Sequence, residues 1–270
     1  MPSYAQTNLQ LFNQAIQQGY CSEDLQSLAK AYRVTIELFT GMFRPSGKTF
    51  VAHLVGTASI LMSLNQSVDI VIAGLLHAAY ANGDFGLGGQ KGIAAAKQSY
   101  LQTQLGNEIE SYVEQYTKLK WDPEAPLKLL SKLDQLDQAE KDVILIRLAN
   151  ELEEYLDFGM VYNGFEKSQR YSRHDTEAIK RLAEELGFPN LAQSLVEAIA
   201  ANEQVSIPLE ACNLIGKSSS SLLLPKSLQL SPFNRLSRFI RSQLRKVYRA
   251  PEKLKMMFRD PTPRLDLTES

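Results

Sequence analysis

The feature that most constrains the fold is a pair of apolar segments that follow each other almost without a break. Residues 48–64 read KTFVAHLVGTASILMSL and residues 67–80 read SVDIVIAGLLHAAY, so only Asn65 and Gln66 separate them. Apolar residues also recur at helical spacing in residues 22–41, 105–119, 138–159, 174–187 and 190–204, whereas no alternating run exceeds four residues. This spacing favours helices over a sheet. The sequence therefore predicts an all-α bundle.

Capping residues predict several helix ends. Ser22 is suited to cap the helix that Gly41 ends, and Asp175 or Thr176 is suited to cap the helix that ends before Gly187. The helix over 138–159 is predicted to be amphipathic. The side expected to face solvent carries Asp142, Arg147, Glu151 and Glu154.

Charge is distributed unevenly along the chain. Residues 1–216 contain 17 Lys/Arg and 26 Asp/Glu, a balance of −9, and residues 217–270 contain 12 and 4, a balance of +8. Between them, GKSSSSLLLPKSLQLSP at 216–232 is Ser-rich, contains proline and has no helical periodicity, which is typical of a linker. We therefore predict a helical domain at 1–215, a linker at 216–232, and a basic helix and tail at 233–270.

The basic segment contains a predicted amphipathic helix over 233–249. It starts after Ser231 and Pro232 and ends before Pro251. Its apolar side comprises Phe233, Leu236, Phe239, Ile240, Leu244, Val247 and Tyr248, and arginine and lysine occupy the other sides. Such a helix is suited to an anionic membrane surface, or to docking on the acidic domain or on a protein partner. Nucleic acid is not an expected partner, because the acidic domain repels a polyanion and no recognition motif is present.

Composition limits the class of protein. The 270 residues, 44% hydrophobic and 22% charged, are typical of a globular protein. No window approaches 18 uncharged apolar residues, and the first residues lack the parts of a signal peptide. Cys21 and Cys212 lie far apart, as free thiols in a reducing compartment would. We expect a cytoplasmic protein, peripheral at a membrane if the basic helix binds one.

Two of the three histidines lie on the adjoining apolar helices. The side chains of His53 and His77 can therefore converge on one groove, whereas His174 lies among polar residues at a helix start. Arg44 and Lys48, in FRPSGKTF, are expected at the mouth of that groove. Without this context, both groove histidines would be interpreted as buried residues with satisfied hydrogen bonds.

The stretch RPSGKTFVAHLVGTASILMSLNQSVDIVIAGLLHAAY, residues 44–80, resembles the HD-domain superfamily, specifically the hydrolase domain of RelA/SpoT-type alarmone enzymes. That family has an arginine, a glycine-aromatic stretch, a histidine, an apolar run ending in His-Asp, and a Glu-Asp pair. A later helix carries Leu-Ala-Asp-Arg-Leu-x-Asn, where this chain has LIRLANELEEYLD at 145–157. The resemblance covers roughly residues 25–200 and implies an HD-like helical bundle.

The resemblance also implies a metal site that has lost its acidic ligands. In the family, two histidines and two aspartates hold a divalent metal, typically manganese, that activates a water. His53 and His77 match the histidines, but Ala78 and Asn150 replace the aspartates. Two neutral imidazoles without a carboxylate bind a hard cation weakly. We therefore expect no metal and no other cofactor.

Further family positions have changed as well. The Glu-Asp pair that would position water corresponds to Ala81 and Asn82, and the arginine and asparagine of the late motif correspond to Glu151 and Glu154. The charge that would face a nucleotide is thus partly inverted. Hydrolysis of guanosine tetraphosphate is not expected.

The loop NGDFGLGGQKGIAA, residues 82–95, offers one replacement ligand. Asp84 could turn towards the histidines because Gly83 and Gly86 allow tight turns, or it could cap the turn itself, which is favoured. The loop could also cradle an anion, but it matches no known phosphate-loop pattern, and a plain loop is favoured.

Three functions remain open. The favoured one is a degenerate HD-domain protein that binds a protein partner, or a small polar or nucleotide-like ligand through Arg44, Lys48, His53, His77, Asn82 and Asn150. The second is a metal-free enzyme with His53 or His77 as base and Tyr80 or Asp84 as its partner. The third is a residual metal-dependent phosphohydrolase related to (p)ppGpp hydrolases, with a substitute ligand.

Overall fold

The structure of the protein is a computed structural model that describes residues 4–86, 91–162, 173–212 and 221–223. The contacts between residues divide the chain into two units, residues 1–223 and 224–270, and every described residue belongs to the first. The basic helix predicted over 233–249 therefore lies outside the described residues, as does most of the predicted linker. Within the described ranges, no helix is both long enough and apolar enough to cross a membrane.

The first unit consists almost entirely of α-helices, which confirms the all-α prediction. The helices are α1 (Asn8–Gln17), α2 (Ser22–Phe39), α3 (Phe50–Ser63), α4 (Val68–Leu76), α5 (Ala79–Asn82), α6 (Ala95–Leu105), α7 (Asn107–Lys118), α8 (Ala125–Leu130), α9 (Gln138–Leu156), α10 (Gly159–Tyr162), α11 (Arg173–Glu185) and α12 (Pro189–Gln204). Single 3-10 turns occur at Leu133–Gln135 and Leu209–Ala211. Two short strands, β1 (Met42–Phe43) and β2 (Ser221–Leu222), pair in antiparallel orientation.

The apolar helices α3 and α4 pack against each other as the short connection predicted. Asn65 in the connection has φ 55°, a left-handed conformation that asparagine tolerates. A Cβ at Gly74 would lie 2.2 Å from Leu61 Cδ1, so the glycine permits the close approach of the two helices. Every residue from His53 to Met62 is buried, which places His53 in the core rather than at the surface.

The long helix α9 lies among other helices rather than along the surface. It packs against α3, α7 and α12, and its buried residues include Asp142 and Glu151. The predicted solvent-facing side was therefore wrong, because neighbouring helices cover α9 on several sides. Its charged groups are buried with partners: Tyr112 Oη donates to Asp142 at 3.2 Å, and Arg147 donates to Glu151.

The β-ribbon attaches the end of the described chain to the segment that precedes the site. Gly41, with φ 79°, turns the chain out of α2, and Met42 pairs with Leu222. Leu223 N also donates to Gly41 O at 2.8 Å. Part of the predicted linker thus pairs with the helical unit, and the first compact unit includes residues up to Leu223.

Two predicted helix starts are shifted by a few residues. Cys21 occupies the N-cap position of α2, where Asp24 Oδ2 accepts from Cys21 N at 3.0 Å, so Ser22 is the first helical residue. Helix α11 begins at Arg173, which places Asp175 within its first turn.

Candidate functional site

A cavity of about 300 Å³ lies beside α3, α4, α7 and α9. It is lined by Arg44, Pro45, Phe50, His53, His77, Ala78, Ala81, Asn82, Tyr116, Thr117, Leu119, Arg147, Asn150 and Glu154. The structure therefore brings together all the residues predicted to bind a ligand except Lys48. Lys48 lines a smaller space next to this cavity, together with Glu153 and Asp157.

A tight turn before α3 positions the two cations. Gly47 N donates to Arg44 O at 2.9 Å, and Arg44 N donates to Lys48 O at 2.8 Å. Gly47 has φ 89°, which glycine adopts without strain. Thr49 Oγ1 then accepts from Ala52 N at 3.3 Å and caps α3. The sequence SGKT thus directs both cations towards α9.

His53 is held between a carboxylate and a guanidinium. Its Nδ1 contacts the carboxylate of Glu153, and Arg44 Nη1 lies 2.7 Å from each ring nitrogen. A carboxylate only accepts, so Nδ1 carries the proton and Nε2 accepts from Arg44. Burial, reinforced by the positive charge of Arg44, holds the pKa of His53 well below its usual value. His53 is neutral at pH 7.

Glu153 was not predicted from the sequence, yet it is a central member of the site. It is 3% exposed, and its carboxylate contacts Lys48 as well as His53. Lys48 also donates to Asp157. Burial raises the pKa of Glu153, against the opposing effects of Lys48 and Arg44. Glu153 lies three residues after Asn150 on α9, so a helical projection would have placed it on the same side.

Arg44 and Glu154 form the ion pair that faces the cavity. Arg44 Nη2 donates to Glu154 Oε1 at 2.8 Å. Burial by itself would raise the pKa of Glu154, but the combined effects of Arg44, His53 and Arg147 outweigh it and the pKa falls to about 2. Burial opposes the charged form of Arg44 too, but Glu154 and Glu153 outweigh it and raise its pKa. Both groups are therefore charged at neutral pH.

His77 lies beside His53, as its place on the adjoining helix predicted. The two ring centroids are 5.2 Å apart, and the His77 ring lies 4.9 Å from that of Tyr116. His77 Nδ1 donates to Gly74 O at 2.7 Å, which leaves Nε2 as the acceptor nitrogen. Burial, with a smaller contribution from His53, lowers the pKa of His77 to about 3.

Asn150 and Arg147 supply polar groups on the α9 side of the cavity. Asn150 is 2% exposed, its Nδ2 lies 3.5 Å from Glu154 Oε1, and its Oδ1 accepts no hydrogen bond from the described residues. Arg147 Nη1 donates to Tyr116 Oη at 3.0 Å, and its guanidinium carbon lies 5.2 Å from the Trp121 ring. The α9 wall thus contains a buried acceptor that has no hydrogen-bond partner among the described residues, as well as a guanidinium that contacts two aromatic rings.

Two predicted catalytic candidates lie elsewhere. Tyr80 is fully buried and its hydroxyl contacts Glu110, away from the cavity walls. Asp84 Oδ1 accepts from Gly86 N at 2.9 Å, so its carboxylate closes the turn, which was the favoured expectation. Neither residue can assist His53 or His77 from these positions. Of the described part of the loop at 82–95, Asn82 lines the cavity and the other residues do not.

The predicted inversion of charge is also corrected. Glu151 does not line the cavity; its carboxylate pairs with Arg147. Glu154 does line it, but Arg44 balances its charge. An anionic ligand would therefore not meet two uncompensated carboxylates, because each of them is paired with an arginine.

A metal ion of the kind that the HD resemblance implies does not fit these residues. Among the described residues, no group of three or more His, Cys, Asp or Glu is arranged to hold one. Ala78 and Asn150 line the cavity where aspartates would be required, and both ring nitrogens of His53 are engaged. No chemistry is therefore assigned to a metal in this site.

Comparisons with known proteins support the resemblance. Residues 36–120 match a family described as a domain of unknown function (DUF6817). The chain is 26% identical over 174 residues to GTP pyrophosphokinase of Streptomyces antibioticus, covering 63% of this chain and 19% of that protein. It is 25% identical over 190 residues to the bifunctional (p)ppGpp synthase/hydrolase SpoT of Escherichia coli strain K12, covering 68% of this chain and 25% of that protein.

The chain therefore spans only about a fifth to a quarter of the length of these curated relatives. A solved structure described as a metazoan ortholog of SpoT that hydrolyses ppGpp is 17% identical, with a TM-score of 0.45 over 68% of this chain and 98% of that chain. The predicted resemblance is confirmed by the curated relatives: the chain is similar to RelA/SpoT-type alarmone enzymes over about two thirds of its length, and its described residues form an all-α fold.

Proposed function

We propose that this protein is a degenerate HD-domain relative that binds one small polar or nucleotide-like ligand in the cavity and does not hydrolyse phosphoesters. The observation that carries the proposal is the buried Oδ1 of Asn150, which lines the cavity and accepts no hydrogen bond from the described residues. A buried acceptor left in this state costs about 1–3 kcal/mol. An N–H or O–H group of a ligand would offset that cost.

Charge and size support a small polar ligand. Arg44 and Arg147 are the cations in the wall, and their charges are balanced by Glu154 and Glu151, so the wall is polar and close to neutral. A volume of about 300 Å³ is at the small end of ligand sites and suits one nucleotide or sugar phosphate better than a large molecule. Tyr116 and Phe50 add aromatic surface to the same wall.

The two alternative functions have less support. Acid–base catalysis by a histidine requires a pKa near the working pH, and burial holds the pKa of His77 at about 3. The expected partners Tyr80 and Asp84 do not line the cavity. A phosphohydrolase with a substitute metal ligand would require Asp84, whose carboxylate is engaged by Gly86 N.

The proposal can be tested by calorimetric titration of the protein with GMP, GDP, GTP and guanosine tetraphosphate. We expect at least one of these to bind without turnover. Asn150→Ala and Arg147→Met should each weaken that binding about tenfold, which corresponds to about 1.4 kcal/mol for one hydrogen bond in a buried site.

Matched substitutions outside the cavity control for general effects. Asn13→Ala on α1 and Arg181→Met on α11 change exposed residues and should leave binding unchanged. The proposal fails if no member of the panel binds, or if Asn150→Ala and Arg147→Met bind as the wild type does. Hydrolysis of guanosine tetraphosphate with added Mn²⁺ at about 1 s⁻¹, an ordinary enzyme rate, would also contradict it.

A further inference from the structure

We propose that two copies of this chain pair through the exposed side of α1, with the two helices antiparallel about a two-fold axis. This side comprises Leu9, Asn13 and Ile16, and we call it the α1 face. None of these residues lines the cavity. The inference therefore goes beyond ligand binding by the cavity and does not depend on it.

The α1 face exposes two large aliphatic side chains. Leu9 is 70% exposed and Ile16 is 59% exposed, and residues seven apart lie on the same side of a helix. Asn13 lies between them and is exposed too. Phe12 lies beside this face, where its ring centroid is 6.4 Å from that of Tyr32 on α2. The outer side of a surface helix ordinarily carries polar and charged residues, so this apolar pair requires an explanation.

The helix that carries this face is fixed to the rest of the unit. Leu11 and Ala15, on the opposite side of α1, are fully buried. Gln14 Nε2 donates to Ser59 O at 2.9 Å, and Ser59 Oγ donates to Gln14 Oε1 at 2.6 Å, which joins α1 to α3. The α1 face is therefore already ordered before it meets a partner, which lowers the cost of association.

The absence of charge makes the α1 face complementary to its own copy. Residues 1–22 contain no Asp, Glu, Lys or Arg, although 22% of the whole chain is charged. In a two-fold interface both copies contribute the same surface, so a charged residue near the axis would meet its own copy and be repelled. The exposed amides of Gln10, Asn13 and Gln17 both donate and accept, so each can pair with an amide of a second copy.

Other partners suit the α1 face less well. A helix that lies on an anionic membrane carries lysine or arginine beside its apolar side, and α1 has neither. A strongly basic partner would find no carboxylate on α1. Depletion of charge is instead what distinguishes the buried core of a protein–protein interface.

The antiparallel arrangement predicts which side chains meet. Leu9 and Ile16 lie at equal distances on either side of the centre of α1, which spans Asn8–Gln17. With the two-fold axis at this centre, Leu9 of each copy contacts Ile16 of the partner subunit. The contact is small, so we expect a dimer whose dissociation constant is in the micromolar range.

The test is sedimentation velocity of the full chain at concentrations between about 1 and 200 μM, which bracket that range. We expect a reversible equilibrium between monomer and dimer. Leu9→Lys/Ile16→Lys should weaken dimerisation at least about thirtyfold, because like charges meet at both contacts. Leu9→Lys/Ile16→Glu places opposite charges at the same contacts and should dimerise at least about tenfold more tightly than Leu9→Lys/Ile16→Lys.

Leu209→Lys is the matched control, because it changes a leucine that is 85% exposed outside α1, and it should dimerise as the wild type does. Circular dichroism should be the same for all variants, since the substituted side chains are exposed. The proposal is overturned if the wild type stays monomeric over the whole range, or if Leu9→Lys/Ile16→Lys dimerises as the wild type does, as a dimer formed through another surface would. Equal dimerisation by the two charge variants would overturn the antiparallel pairing.

Discussion

Replacing Gly56 by alanine should destabilise this protein, although alanine is the better helix former. Gly56 lies in α3 opposite α9, and a Cβ at this position would lie 2.8 Å from Glu153 Cγ and 2.9 Å from Glu153 Oε1. Glu153 cannot move away without loss, because its carboxylate contacts both Lys48 and His53. The added methyl group must therefore either strain the core or displace the carboxylate from its partners.

The change in the free energy of unfolding can be estimated from these two responses. An added methyl group in a packed core costs about 1–3 kcal/mol, and a buried polar group that loses its partner costs about the same. Alanine in place of a mid-helix glycine returns about 1 kcal/mol. We expect a net loss of about 2 kcal/mol in the free energy of unfolding, the upper end of the first range less the return from alanine, because two partners of Glu153 are affected.

The decisive measurement is urea unfolding of four proteins: wild type, Gly56→Ala, Glu153→Ala and the double variant. Glu153→Ala removes the obstructing side chain, so Gly56→Ala should then stabilise the protein, by up to about 1 kcal/mol. Ser27→Ala, at an exposed position of α2, controls for the effect of alanine on a helix. The reasoning is refuted if Gly56→Ala has the same effect with and without Glu153, or if it stabilises the wild type.

Three further predictions can be tested independently. Burial lowers the pKa of His77 from 6.5 to about 3, so the unfolded chain binds a proton that the folded protein does not, and stability should fall as pH decreases from 6.5 towards 3. The slope should be up to about 1.4 kcal/mol per pH unit for one histidine, and His77→Gln should flatten it in urea unfolding at several pH values. Ala78→Asp combined with Asn150→Asp should raise Mn²⁺ affinity in equilibrium dialysis; a folded double variant with unchanged affinity contradicts the correspondence of these positions to the HD aspartates. Full-length protein should sediment with anionic liposomes in low salt and a chain ending at Leu223, which retains β2, should not; if neither sediments and shortening changes the oligomeric state, residues 233–249 form a docking element instead.

The helical spacing of apolar residues predicted the positions of those helices that bury one side. Helices α3, α4, α7 and α12 lie where the spacing of apolar residues predicted them, because that spacing is a local property of the chain. The environment of α9 was not predicted, since an apolar side does not reveal how many other sides are covered by neighbours. Its charged residues resembled a solvated surface in the sequence and form buried pairs in the fold.

Closeness to His77 in the sequence did not predict which residues line the cavity. Tyr80 and Asp84 follow it closely in the sequence, but α4 ends at Leu76 and Ala78 leaves the helical conformation before α5, so the helical projection does not continue through them. Glu153 was missed for a different reason. The family motif that residues 145–157 resemble accepts any residue at the position of Glu153, so the resemblance assigned no role to it. Its place three residues after Asn150 was the available signal.

The sequence by itself determined the helical class, the convergence of His53 and His77, and the absence of carboxylates at positions 78 and 150, because each depends on residue identity or on spacing within one or two helices. Only the tertiary structure decided how the remaining charges combine. Arg44 meets Glu154 across 110 positions of the chain, and Lys48 meets Glu153 across 105. Pairing between such distant segments depends on how α9 packs against α3. For that physical reason, Glu154, which looked repulsive to an anion in the sequence, is neutralised in the fold, and an arginine expected only at the mouth of the groove lies against the buried histidine.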